Sequence, residues 1–167
     1  MRPNRLATDK VGTLPVLQHA LKTCEEIYKQ KFDIVVDLPV TAPIRNKKDL
    51  DNALKLFKKK KPMTLISVTD ANRNPYFNML EEVEGGKVWY SKPNTSFIRR
   101  QDAPKVFDMN NSIYIYKSDY LRDAKNTKAI SDNTVAYLMD PISSVDIDTE
   151  TDFIILETLV KKKIVIL

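Results

Sequence analysis

Two amphipathic segments alternate with two short apolar runs in the first part of the chain, and this order most constrains the fold. Residues 15–29 and 48–59 carry apolar side chains at the i, i+3, i+4 and i+7 spacing of helices that bury one face. Residues 32–38 and 63–68 are rich in β-branched and apolar side chains and predict buried strands. Helix, strand, helix, strand in this order predicts an α/β domain whose largely parallel sheet is flanked by helices.

The second part of the chain has a different texture. Asn, Pro, Arg and Gly cluster in residues 71–108, and only residues 87–91 resemble a strand, so this stretch predicts a β-arm or loop excursion from the sheet. Beyond it, residues 112–116 and 135–139 predict strands, residues 152–160 a helix and residues 164–167 a last short strand. Residues 1–167 contain no repeat and no obvious linker, which predicts a single domain.

Composition excludes several classes of protein. Apolar residues make up 43% of the chain and charged residues 29%, which is typical of a globular protein, and no apolar run approaches the roughly 18 residues of a membrane span. With no apolar signal segment and with Cys24 as the only cysteine, we expect a cytoplasmic protein that does not associate with membranes. The formal net charge of +5 leaves nucleic-acid binding as an alternative, but lysines 58–61 fit a helix C-terminus and no nucleic-acid motif is present.

The segment from 144 to 152 predicts a metal site. Asp146 and Asp148 alternate around Ile147, so an extended backbone turns both carboxylates to one side. Two carboxylates at a sheet edge suit Mg²⁺, which keeps positions open for phosphate oxygens. Thr149 and Asp152 fit a helix capping box. The alternative is that Asp148 caps the helix and Asp146 is merely solvated.

Two further polar segments could bind an acidic ligand. Residues 37–45 follow a buried strand, where α/β proteins place ligand loops, and offer the Thr41 hydroxyl and the Arg45 guanidinium. Residues 99–105 form a basic and polar group that includes Arg100 and Gln101. The first could equally be a rigid turn with Arg45 as a surface charge, and the second an ordinary exposed loop. His19 is the only histidine and Cys24 the only cysteine, so the sequence offers no histidine pair or cysteine cluster for a zinc site.

Four blocks, in order, resemble the acylneuraminate cytidylyltransferase family, the CMP-sialic acid synthetases. Residues 2–9 resemble that family's Arg-Pro-x-x-Leu-Ala-x-Asp block, and residues 38–45 its Leu-Gln-Pro-Thr-Ser-Pro-Leu-Arg block. Residues 100–104 and 110–115 resemble the Arg-Gln-x-x-Pro block and the Asn-Gly-Ala-Ile-Tyr-Ile strand. Residues 144–152 resemble Ser-Ile-Asp-Ile-Asp-Thr-Glu-x-Asp. The resemblance covers nearly the whole chain.

The resemblance implies a Rossmann-like nucleotidyltransferase that transfers CMP from CTP to an acidic nine-carbon sugar and releases pyrophosphate. It makes Asp146 and Asp148 the catalytic ligands of Mg²⁺ or Mn²⁺, and places Arg2 and Thr13 at the cytosine base. It also implies a homodimer formed through the arm at residues 71–108, and no nucleic-acid partner. The residues that we expect near the sugar are Thr41, Arg45, Arg100, Gln101 and Asn110.

Two departures from the family pattern carry further expectations. Pro39 stands where the family has Gln, and Asp37, Thr41 and Pro43 fit better a subgroup acting on bacterial nonulosonic acids such as legionaminic acid, so the identity of the sugar stays open. The family's first strand and its glycine-rich, triphosphate-gripping loop match nothing here, so we expect both to be missing and this chain as it stands to release no pyrophosphate. The alternative function is a non-catalytic remnant that keeps the fold and the arm. A glycosyltransferase with a metal-binding Asp-Ile-Asp triplet would leave the other three blocks unexplained.

Overall fold

The computed structural model describes residues 2–8, 10–93, 97 and 99–166. Its four helices are α1 (Thr13–Tyr28), α2 (Lys47–Lys60), α3 (Ser118–Arg122) and α4 (Glu150–Lys161). Its six strands are β1 (Ile34–Asp37), β2 (Thr64–Asp70), β3 (Leu80–Val83), β4 (Lys87–Tyr90), β5 (Phe107–Lys117) and β6 (Thr134–Leu138). Short 3-10 turns lie at Asn4–Leu6, Glu84–Gly86, Arg100–Asp102 and Pro141–Ser144.

Four strands form the central sheet in the order β1-β5-β2-β6. β6 runs parallel to β2, whereas β5 is antiparallel to both of its neighbours, β1 and β2. Three of the four strands therefore point the same way, and the expected largely parallel sheet is a mixed sheet with one reversed strand. The α/β class with helices flanking a Rossmann-like sheet is confirmed.

Different helices cover the two faces of the sheet. Successive side chains of β5 point to these two faces in turn. Ile113 and Ile115 pack with Ala53 and Phe57 of α2 on one face. Tyr116 packs with Leu14 of α1 on the other. Full burial of a side chain such as Phe57 stabilises the fold by about 1.5–3 kcal/mol. The core is thus a three-layer arrangement, and every residue of β2 except Asp70 is buried within it.

Local signals set the ends of the helices. Asn46 and Asp49 form a reciprocal capping box at the start of α2, and Thr149 and Asp152 form the expected one at the start of α4. α1 and α2 both end at a lysine in the left-handed region, Lys29 and Lys61. α4 packs through Leu156 against Ile44 and against the segment leading to Asp146, which fixes that segment to the body of the domain.

An irregularity interrupts β5 next to β2. The pairing register shifts between Ile66 and Val68, and Ser67 faces the extra residues. Asn111, within this bulge, has a φ of 50°, in the left-handed region. Bulges bend a strand and redirect side chains, and they are frequent beside functional sites. This one turns the Asn110 side chain into the core and leaves Asn111 at the surface.

The described residues between 71 and 106 leave the sheet and carry a separate β-hairpin, β3 paired with β4, whereas residues 107 and 108 already pair with β2 in the sheet. The connection passes through Gly85 and Gly86, whose φ values of 77° and 73° favour glycine. All eight residues of the two strands are exposed. This hairpin, Leu80–Tyr90, is the β-structure within the predicted arm, and we call the hairpin alone the arm below.

The structure differs from the expectations in four local elements. β3 and α3 were not foreseen, and β5 is much longer than the predicted 112–116. Residues 164–166 form no strand; instead Val165 packs beside Leu156 and Ile44. Among the described residues, the longest helices are too short or too polar to traverse a lipid bilayer.

Candidate active site

A cleft of about 340 Å³ opens where β1 ends and meets the bulged part of β5. This is the carboxyl end of a strand, the place where open α/β sheets bind their ligands. The side chains around it come from α1, from the end of β1 and the loop after it, from β5, from the segment between α3 and β6, and from the segment before α4. They are Thr13, Asp37, Pro39, Thr41, Asn111, Tyr114, Tyr116, Ala129, Asp146 and Asp148.

Asp37 and two tyrosines form the floor of the cleft. Asp37 is directly opposite Tyr114 in the β1–β5 ladder, and the Tyr114 and Tyr116 rings stack with centroids 6.3 Å apart. Burial raises the pKa of Asp37, and the positive charge of Arg45 offsets part of that rise. Burial and the negative charges of Asp37 and Asp146 raise the pKa of Tyr114. The Tyr114 hydroxyl therefore stays protonated and able to donate a hydrogen bond.

Asp146 is held in the wall of the cleft by its neighbours. The Ile147 amide donates to the Thr41 carbonyl oxygen across 2.8 Å, which ties the two walls together. Asn111 Nδ2 donates to Asp146 Oδ2 across 2.9 Å. The other oxygen, Oδ1, is buried and has no hydrogen-bond partner among the described residues. An unpartnered buried carboxylate oxygen is costly unless something else, such as a cation, approaches it.

Asp148 is exposed on the same cleft and does not cap the following helix. Thr149 is the N-cap of α4, and its side chain accepts from the Asp152 amide. The Asp148 amide donates to Asp152 Oδ2 across 3.2 Å, while the Asp148 carboxylate lines the cleft. The reading in which Asp148 serves as the helix cap is therefore wrong, and its carboxylate is free for a role in the cleft.

The cleft is acidic although the protein carries a net positive charge. Asp37, Asp146 and Asp148 line it, and none of the described lining residues is Lys or Arg. In the described parts of the chain, no three His, Cys, Asp or Glu side chains converge as a ready-made metal cage. Two carboxylates with open positions nevertheless fit Mg²⁺, which keeps several waters and takes substrate phosphates as ligands.

The predicted sugar residues do not all meet at this cleft. Thr41 lines it, whereas Arg45 and Asn110 do not. Arg45 Nη1 donates to the carbonyl oxygens of Pro39 and Ala42, so its charge is used to hold the loop. Asn110 is buried, and Ser67 Oγ donates to Asn110 Oδ1 across 2.6 Å, so in this structure its side chain is hydrogen-bonded within the core.

The remaining predicted residues are dispersed. Thr13, the first residue of α1, lines the cleft, but Arg2 is exposed and is not among the described residues around it. Gln101 lines a second cleft of about 350 Å³ near the base of the arm, beside the ion pair between Lys105 and Asp70. The Arg100 side chain lies outside the described residues.

The expectation from sequence gave no role in the site to four of the polar side chains that line the cleft: Asp37, Asn111, Tyr114 and Tyr116. The sequence pattern could have indicated three of these residues. Asp37 ends a buried strand, and the two tyrosines alternate with isoleucines, so they share one face of β5. Asn111 lacked such a signal because its direction depends on the bulge.

Comparison with known proteins relates this chain to proteins of named function. No protein-family model matches the chain. It is 41% identical over 162 residues to the post-translational flagellin modification protein B of Campylobacter coli, and equally to the CMP-N,N'-diacetyllegionaminic acid synthase of Campylobacter jejuni. Each alignment covers 97% of this chain and 67% of the relative. The N-acylneuraminate cytidylyltransferase of Escherichia coli is 28% identical over 169 residues, covering 98% of this chain and 37% of that protein.

The chain belongs to the acylneuraminate cytidylyltransferase family. The expected resemblance is thereby confirmed, and with it membership of a family of nucleotidyltransferases. In this member of the family, both aspartates of the Asp-Ile-Asp triplet line one acidic cleft.

Proposed function

We propose that this protein transfers CMP from CTP to a nonulosonic acid of the sialic-acid type and releases pyrophosphate, at the cleft between β1 and β5. The observation that carries the proposal is Asp146, whose Oδ1 is buried without a hydrogen-bond partner among the described residues while Oδ2 is fixed by Asn111. Relatives whose names specify CMP-sugar synthesis support it.

In the proposed reaction, the anomeric hydroxyl oxygen of the sugar attacks the α-phosphorus of CTP and the hydroxyl proton is released to solvent. The bond from that phosphorus to the oxygen bridging the β-phosphate breaks, and pyrophosphate leaves. Asp146 and Asp148 would hold Mg²⁺ or Mn²⁺ in the cleft. Such an ion supplies charge neutralisation of the phosphates and polarises the α-phosphate. Because the described lining offers carboxylates and no Lys or Arg, an approaching triphosphate would otherwise meet like charge.

The chain's own residues have the remaining roles. Thr13 offers a hydroxyl at the start of α1 for the nucleotide, and Thr41 offers one from the loop after β1 for the sugar. Both threonines line the same cleft as Asp146 and Asp148, so the nucleotide, the sugar and the ion would be held close together. Positioning of this kind supplies a large share of the rate in phosphoryl-type transfers. The Campylobacter relative named for legionaminic acid favours a bacterial nonulosonic acid as the sugar.

We further infer a homodimer formed through the arm. A two-stranded hairpin is marginally stable by itself, and this one exposes Leu80, Val88 and Tyr90, which share one of its faces, to 58%, 56% and 45%. Clustered apolar side chains on a surface mark an interaction site, and a second copy of the same hairpin offers a matching partner.

The test measures pyrophosphate release and CMP-sugar formation from CTP with Mg²⁺ or Mn²⁺. N,N'-diacetyllegionaminic acid and N-acetylneuraminic acid are supplied in separate reactions. The assay is run on the 167-residue chain and on a fusion in which a family phosphate-loop segment precedes residue 1. Asp146→Asn and Asp148→Asn are compared with Asp33→Asn, which changes an exposed aspartate outside the cleft.

We expect the fusion to turn over, each cleft variant to lose at least about 100-fold in rate, as loss of a key electrostatic stabiliser does, and the Asp33 variant to retain full activity. Full activity in both cleft variants would remove the pair from the mechanism. Absence of turnover with either sugar, in both forms of the protein, would contradict transfer and favour the non-catalytic alternative.

A further inference from the structure

Asn111 occupies a backbone position where a side chain is a disadvantage. Its φ of 50° lies in the left-handed region, which glycine adopts most readily and which asparagine tolerates better than most other residues. The strand block that this segment resembles has glycine at this place. The backbone of the bulge therefore needs no side chain here, and the reason for Asn has to be found in what its amide contacts.

The amide of Asn111 has two hydrogen bonds, both to residues that line the cleft. Nδ2 donates to Asp146 Oδ2 across 2.9 Å, and Oδ1 accepts from the Tyr114 hydroxyl across 2.6 Å. The amide nitrogen thus faces Asp146, and the amide oxygen faces the Tyr114 hydroxyl. The Asp146 carboxylate only accepts, so it requires this orientation, and the Tyr114 hydroxyl secures it by donating to Oδ1; the Tyr114 ring is itself fixed by stacking on Tyr116.

The two oxygens of Asp146 differ because of this bond. Oδ2 is occupied by a neutral donor, which fixes the rotamer of the carboxylate without cancelling its charge. Oδ1 is buried and unpartnered among the described residues. A carboxylate oriented in this way presents one oxygen at a fixed position, and partners that orient metal ligands commonly change metal affinity by about 10–100-fold when removed.

We propose that Asn111, held in place by the Tyr114 hydroxyl, is a positioning residue that holds Asp146 ready to bind the divalent cation. The inference rests on the proposed function in one respect only, that Asp146 is a ligand of the ion. Asn111 itself does not contact the ion; it acts through the carboxylate.

Binding of Mn²⁺ to the protein, followed by the paramagnetic signal of free Mn²⁺, tests the proposal without any turnover. Asn111→Gly removes the amide at a φ that suits glycine, so the backbone of the bulge is retained. Tyr114→Phe keeps the ring but removes the hydroxyl that secures the amide. We expect at least about tenfold weaker Mn²⁺ binding for Asn111→Gly and a smaller loss for Tyr114→Phe. Thermal unfolding of each variant is recorded in parallel.

The outcomes separate this proposal from the proposed function. Mn²⁺ affinity that is lost in Asp146→Asn but unchanged in Asn111→Gly overturns the positioning role and leaves the metal ligand in place. Affinity that is the same in wild type, Asp146→Asn and Asn111→Gly overturns both. If Asn111→Gly does not fold, Tyr114→Phe decides, and unchanged binding in that folded variant counts against the proposal.

Discussion

Arg45 Nη1 lies 2.6 Å from the carbonyl oxygen of Ala42 and 2.8 Å from that of Pro39. The same guanidinium reaches the Leu38 and Ser112 carbonyl oxygens at 3.4 Å. One planar group with five N–H donors thus fastens the loop after β1 to itself and to β5. Because Thr41 lies in this loop and lines the cleft, Arg45 fixes this wall of the cleft although it does not line the cleft itself.

The first prediction concerns this fastening. Arg45→Lys keeps the charge but replaces the fork with a single ammonium, which cannot satisfy the same carbonyls together. We expect the free energy of unfolding to fall by about 1.5–3 kcal/mol, the range for hydrogen bonds that involve a charged group. Urea unfolding measures it, with Arg73→Lys at an exposed position as the control. Equal midpoints for both variants would show that the loop does not need the guanidinium.

The second prediction concerns the buried amide of Asn110. It accepts from Ser67 Oγ and donates to Ser143 Oγ across 2.8 Å. Asn110→Ala leaves the Ser67 hydroxyl without its acceptor, so we expect a loss of about 1–3 kcal/mol in unfolding free energy. Asn4→Ala, at an exposed site, should change it little.

A double-mutant cycle separates the hydrogen bond from the loss of packing. Ser67→Ala in the Asn110→Ala background should cost clearly less than in the wild type, because the bond is already broken. Additive losses would mean that the two side chains are not coupled.

Much of the fold was predictable because the helices carry their own signals. α2 follows a regular apolar stripe, and Thr149 with Asp152 predicted the start of α4. β5 was predicted too short because the bulge at Asn111 breaks the alternation of its side chains. β3 gave no signal because all four of its residues are exposed, with two glutamates between its apolar ends.

The candidate site was predictable in part: Thr13 and Thr41, expected from the family resemblance, also line the cleft, and the most local signal concerned the two aspartates. Asp146 and Asp148 lie in one short segment, and the structure brings both to the cleft. The direction of Arg45 depends on how the loop after β1 folds back on itself, which spacing along the sequence does not encode. The same holds for Asn110 and Asn111, where the bulge decides which of two adjacent asparagines is buried.

The third prediction concerns the arm. Val88→Lys places a charge in the exposed apolar face formed by Leu80, Val88 and Tyr90 without touching the core, so we expect the dimer to dissociate at concentrations at least about tenfold higher than for the wild type. Sedimentation measures the dissociation constant, and Lys87→Ser on the same strand is the control. A wild-type protein that remains monomeric at high concentration would contradict the dimer.

The last prediction concerns acid stability and a cluster remote from the cleft. Glu25 of α1 accepts from Arg122 of α3 and from Lys31, and its side chain is only 9% exposed. These hydrogen bonds, chiefly that of Arg122, lower the pKa of Glu25 from its ordinary value of 4.5 to about 2. A carboxyl group whose pKa is lower in the folded than in the unfolded state stabilises the fold above pH 4.5, and this contribution disappears as the pH falls toward 2. Glu25→Gln should therefore be less stable than the wild type at pH 7, and the gap between the two unfolding midpoints in urea should close on acidification. Glu26→Gln, at the exposed neighbouring position, provides the matched comparison. A gap of constant size from pH 7 to pH 3 would show that the ionised form of Glu25 contributes nothing specific to the folded state.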